Sequence, residues 1–124
     1  LSDAGTVVSL FVDPDAAQIA AAAEAGAPFV ELHTGCFANA DTAAARHAAL
    51  DALIRGADEA RRRSLRVNAG HGLTYHNVQE MHRVPDVEEL NIGHAIVSRA
   101  LMVGFDRAVR EMVRLIHHAP QLRR

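Results

Sequence analysis

Residues 28–35 read PFVELHTG, and the alternation inside this stretch decides the fold. Successive side chains of a β-strand point to opposite faces. Val30 and Leu32 therefore share one face, and Phe29, Glu31 and His33 share the other. Three more β-branched-rich runs are built the same way: TVVSLFVD at 6–13, LRVNAGHG at 65–72 and EELNIGHA at 88–95. Val8, Leu10 and Val12, then Leu65 and Val67, then Leu90 and Ile92 extend the apolar face. Ser9, Phe11, Asp13, Arg66, Asn68, Gly70, Glu89, Asn91 and Gly93 extend the other.

Helical spacing fills the gaps between these runs. In DPDAAQIAAAAEAG, Asp13 is the expected N-cap, Pro14 the first helical residue and Gly26 the terminator. Over residues 41–64, Leu50, Leu53, Ile54, Ala57 and Ala60 recur on one helical stripe. Residues 74–84 suggest a shorter helix closed by Pro85. The last segment places Phe105, Val109, Met112, Val113 and Ile116 on one face, with Gly104 dividing two helices. Strand–helix alternation of this kind calls for parallel strands joined by right-handed crossovers, so the class is α/β. A sheet covered by helices on both sides reads as continuous apolar runs. The polar second face here suits instead the interior and mouth of a barrel. Four βα units are half of a (β/α)8 TIM barrel, and 124 residues are half of the about 250 such a barrel takes. An open, flavodoxin-like four-stranded sheet is the competing architecture.

The chain is 49% hydrophobic and 23% charged, the makeup of a single globular domain over 1–124. A formal charge of -2 argues against nucleic-acid binding, and Arg61, Arg62 and Arg63 read as the solvated end of a helix. No run is long and apolar enough for a membrane helix, and no leader opens the chain. The lone Cys36 forms no internal disulfide and fits a reducing compartment, so a cytoplasmic location is expected.

Parallel α/β proteins bind ligands at the carboxyl ends of their strands, and the candidate residues sit there. Glu31 and His33 project toward the expected mouth, where a carboxylate can stabilise a developing cation or tune a base. Their structural alternative is pairing with an inward group such as Arg66. His71, between Gly70 and Gly72, is placed to exchange protons near neutrality. His76 and His82 are expected to face solvent. The step Asn-x-Gly-His occurs twice, at 68–71 and 91–94. After the second copy comes a helix-compatible run, so the amides around Gly93 and His94 form a helix N-terminus open to an anion. Asn68 and Asn91 are expected to point inward from adjacent strands and hold the paired loops in register. His33, His71, His94 and Glu31 could alternatively hold zinc or iron, although no His-x-His or His-Glu-x-x-His spacing occurs. Dinucleotide and Walker-type fingerprints are absent.

VSLFVDPDAAQIAAAAEAGAPFVELHTGCFA, LRVNAGHGLTYHNV and ELNIGHAIVSRALMVGF closely resemble, in order and spacing, the carboxy-terminal half of the pyridoxine 5′-phosphate synthase family. The resemblance implies a TIM barrel with extra helices, including a short one after the last strand. It implies condensation of 1-deoxy-D-xylulose 5-phosphate with 3-amino-2-oxopropyl phosphate to pyridoxine 5′-phosphate, phosphate and water. It further implies no metal or organic cofactor and a homo-oligomer, in the family an octamer. On its motifs Glu31 would stabilise the transition state and His71 would donate a proton. Gly72 would contact substrate, and Gly93 with His94 would bind the phosphate end. Nothing here matches the family's amino-terminal half, which carries another catalytic histidine and glutamate. The chain is therefore expected to hold an incomplete site, either as part of a longer protein or as a half-barrel completed by another chain. A non-catalytic phosphate-binding half-barrel and a metal-dependent barrel hydrolase are the alternatives.

Overall fold

The computed structural model describes residues 1–118; the end of the stretch read as one domain, 119–124, lies outside them. Each alternating run contributes a strand: β1 Ser9–Val12, β2 Phe29–His33, β3 Arg66–Gly70 and β4 Val87–Asn91, the last starting one residue before the 88–95 run and covering only its first half. All neighbours pair in parallel, in the order β1-β2-β3-β4. A flavodoxin-like sheet reverses its strand order at a switch point, whereas this one never does. The unreversed order is that of a stretch of barrel wall.

The helices are α1 Ala16–Glu24, α2 Gly35–Ala38, α3 Ala43–Arg62, α4 His94–Val103 and α5 Phe105–His117. Helix α1 begins two residues later than expected, because its cap is Asp15 rather than Asp13. The Asp15 carboxylate accepts from the amides of Ala17 and Gln18 at 3.0 and 3.1 Å. Asp13 instead remains on the inner face of the sheet, paired with His33. Helix α3 is capped by Thr42, whose hydroxyl accepts from the Ala45 amide at 3.1 Å. Its stripe is buried as expected through Leu50, Leu53, Ala57 and Ala60, with Ile54 half-buried. The four-residue α2 went unforeseen, being too short to show a period.

The segment 74–84 also departs from expectation, forming a turn and a short 3-10 helix, Val78–Arg83. Asn77 Oδ1 accepts from the Thr74 amide at 2.6 Å, and Thr74 Oγ1 accepts from the His76 amide at 3.2 Å. Such local side-chain bonds compete with the α-helical ladder. Gly104 separates α4 from α5 as expected. The apolar face expected of α5 divides, since Met112 is buried while Phe105 and Val113 are 61% and 43% exposed.

One core lies on the helix side, where Val30, Leu32 and Val67 meet Ile19, Phe37, Leu50, Leu53 and Met81. Leu10, Val12 and Leu90 on the edge strands, and Ile92 just after β4, are only partly buried against it. The other face of the sheet is open, with Phe11 53% exposed, and β1 and β4 are each paired on one side only. Among the described residues no helix is long and apolar enough to cross a membrane.

Candidate active site

The sheet brings Glu31, His71, Gly72, Gly93 and His94 to the walls of one cleft of about 510 Å³, together with Phe11 and Asn91. The cleft lies toward the carboxyl ends of the strands: Asn91 ends β4, His71 and Gly72 follow β3, Gly93 and His94 follow β4, and Phe11 and Glu31 lie within the second halves or middles of β1 and β2. His33 stands beside it, while His76 and His82 are exposed outside it.

Glu31 does not pair with Arg66. The Arg66 guanidinium stacks on Phe29, 4.1 Å from the ring centroid, and is held by Glu88, with Nε 2.8 Å from Oε1. These contacts raise the Arg66 pKa, chiefly through the Glu88 hydrogen bond, and lower that of Glu88. Glu31 Oε2 instead accepts from Asn91 Nδ2 at 2.7 Å, across the intervening strand. Residue 70 on that strand must be small. A Cβ there would collide with Glu31 Oε1 and lie 2.9 Å from the Asn91 carbonyl oxygen and 3.0 Å from Asn91 Cβ. The two asparagines consequently do not face one another. Register sets Asn91 beside Gly70, and Asn68 between Glu31 and Glu89. Asn68 is 5% exposed, and its Oδ1 is buried with no hydrogen-bond partner among the described residues.

His71 follows β3 directly, with φ of +83°, in the left-handed region that L residues seldom occupy. Such a conformation costs on the order of 1–3 kcal/mol and persists only where its surroundings impose it. Thr34 supplies that constraint. Its fully buried hydroxyl is shared between the carbonyls of Gly70 and His71, at 2.6 and 2.5 Å, and its amide donates to Gly70 at 2.8 Å. Gly72 continues the left-handed path at φ +78°, where an added Cβ would sit 2.8 Å from Ala38 Cβ. The His71 ring is thereby set edge-on to His33, centroids 5.0 Å apart, and His33 lies 5.0 Å from Phe11. His33 Nδ1 faces Asp13 Oδ1 at 3.0 Å, so an ionised Asp13 places the ring proton on Nδ1.

Gly93 is the N-cap of α4, and no side chain caps its amides. The first turn of a helix carries N–H groups without intrahelical partners and the positive end of the macrodipole. Here that turn borders the cleft, with His94 and Ser98 beside it. Helix α4 is anchored to α5 by Arg99, whose Nε donates to Glu111 at 2.8 Å, while Arg107 donates to the other carboxylate oxygen at 2.8 Å. Hydrogen bonds from Arg99 and then Arg107 hold the Glu111 carboxyl down to about 2. Tyr75 braces α5, donating to the Ala108 carbonyl at 2.8 Å.

Sequence reasoning missed the roles of Asp13 and Thr34, and it gave Asn91 only a register role. The one available signal was the recurrence of Asn-x-Gly-His. Among the described residues no three His, Cys, Asp or Glu side chains gather to hold a metal ion.

Fold and cleft together define a class: a parallel βα half-barrel whose mouth joins a carboxylate, a constrained histidine and an uncapped helix N-terminus. The sequence model of the pyridoxal phosphate biosynthesis protein PdxJ family matches residues 1–118, and the chain belongs to that family. It is 59% identical over 119 residues to the pyridoxine 5′-phosphate synthase of Magnetococcus marinus, covering 96% of this chain and 49% of that protein. It is 60% identical over 112 residues to the enzyme of the same name from a Synechococcus species, covering 90% of this chain and 47% of that one. The chain thus spans about half the length of these curated relatives.

Proposed function

We propose that this chain is the carboxy-terminal half of a pyridoxine 5′-phosphate synthase barrel, with residues 1–124 forming that half. The convergence of Glu31, His71, Gly72, Gly93 and His94 on one cleft carries the reading. The substrates are two small phosphorylated molecules, 1-deoxy-D-xylulose 5-phosphate and 3-amino-2-oxopropyl phosphate, and the reaction proceeds in the cytoplasm. Condensation of an amine with a ketone passes through a carbinolamine. Its hydroxyl leaves as water once protonated, and positive charge develops on the imine carbon and nitrogen. His71 is the proton donor, since imidazole exchanges protons near neutrality. The Glu31 carboxylate stabilises the developing cation, as a preorganised charge aimed at the reacting centre. Gly72 lets the substrate approach the backbone, and the α4 amides at Gly93 and His94 hold a phosphate.

The open inner face and the unpaired edges of β1 and β4 are where the other half of the barrel docks, in a homo-oligomeric enzyme. Product formation from the two phosphates tests the reading, with the chain assayed alone and together with the amino-terminal half of a relative. The pair is expected to make pyridoxine 5′-phosphate, and His71→Asn to abolish turnover while sparing phosphate binding. No product from the pair, or equal loss of turnover and phosphate binding in His71→Asn, would sink it.

A further inference from the structure

We propose that Asn91 is a positioning residue for the reacting carboxylate, acting through Glu31 rather than on the substrate. The inference rests on the catalytic role given to Glu31 above. Strands β2 and β4 are not neighbours, and adjacent strands lie about 4.8 Å apart. A side chain from each must therefore lean over β3 to meet. They do so only above Gly70, where a Cβ would collide with Glu31 Oε1 and crowd both the carbonyl and Cβ of Asn91. The resulting bond, Asn91 Nδ2 to Glu31 Oε2 at 2.7 Å, engages one carboxylate oxygen. It leaves Oε1, which has no hydrogen-bond donor among the described residues, on the cleft that both residues line.

A glutamate on an open sheet face would otherwise sample many rotamers, and immobilising it in advance is what a reacting carboxylate requires. A register role would not need this contact, because backbone pairing of Gly70 with Asn91 already sets the register of β3 and β4.

A double-mutant cycle in the completed barrel decides the matter, with turnover of the two phosphates as readout. Asn91→Ala and the near-isosteric Asn91→Leu, which loses the donor but keeps the shape without adding charge, are each combined with Glu31→Ala. In the parent, each Asn91 change is expected to lower kcat about 10- to 100-fold, as loss of a hydrogen bond to a charged group does, with KM little changed. In the Glu31→Ala background the same changes should lower kcat by less than about threefold, because the group they position is gone. Equal losses in the two backgrounds, or a loss confined to KM, would overturn the proposal while leaving the enzyme reading intact. Absence of product from the parent barrel would overturn both. Should Asn91→Ala fail to fold, Asn91→Leu decides alone.

Discussion

Replacing Thr34 by valine tests whether the left-handed backbone at His71 is imposed from below. Threonine and valine have the same shape, so the change exchanges one hydroxyl for one methyl at a site with no exposure. The hydroxyl has a single proton to share between the Gly70 and His71 carbonyls, so about 1–1.5 kcal/mol of hydrogen bonding is lost. Gly70 keeps the Thr34 amide at 2.8 Å, and the carbonyl of exposed His71 can turn to water. The larger cost is steric. A methyl cannot stay 2.5 and 2.6 Å from two carbonyl oxygens, where the hydroxyl sits. Relieving such overpacking costs a further about 1–3 kcal/mol. The total, about 2–4 kcal/mol, corresponds to a fall in Tm on the order of 10 °C for a chain of this size. Thr34→Ser keeps the hydroxyl and loses only a buried methyl, for about 1 kcal/mol. Thermal unfolding followed by circular dichroism measures both, and turnover of the completed barrel should fall further in the valine variant as the His71 ring moves. A valine variant as stable and as active as the serine variant would refute the reasoning.

Glu111 makes the docking of α4 on α5 pH-dependent. Its folded pKa, about 2, lies below the ordinary 4.5, so its contribution is fully present above 4.5 and is lost as pH falls through about 2. The urea midpoint of the parent should approach that of Glu111→Gln over this window; a constant difference would count against the pair. Gly72→Ala should lose stability by about 1–2 kcal/mol from the left-handed φ alone, and more from the 2.8 Å contact with Ala38 Cβ. Chemical denaturation and kcat/KM should both register it, and an unchanged kcat/KM would remove Gly72 from the substrate site.

Much of the architecture was legible because its determinants are local. Two-residue alternation at 28–35 and in the three matching runs assigned both the strands and their faces, and Pro85 and Gly104 marked real boundaries. The candidate residues were legible too, since they lie in or just after the inward-facing ends of the alternating runs, and strand ends of a parallel sheet necessarily collect at one edge. Partner choice was not legible. Asp13 and Asp15 are equivalent as caps by spacing, and only the position of His33 across the sheet distinguishes them. Arg66 could have served Glu31 or Glu88, and the geometry beside Phe29 gives it to Glu88. Thr34 looks like an ordinary helix cap until β3 is laid beside it. The contact between Asn91 and Glu31 depends on which residue of β3 lies between them. Side-chain period and turn chemistry are properties of a few consecutive residues and can be read along the chain. Register between distant strands is set by how the whole core closes, and it alone decided that Gly70 would leave room for Glu31 and Asn91 to meet.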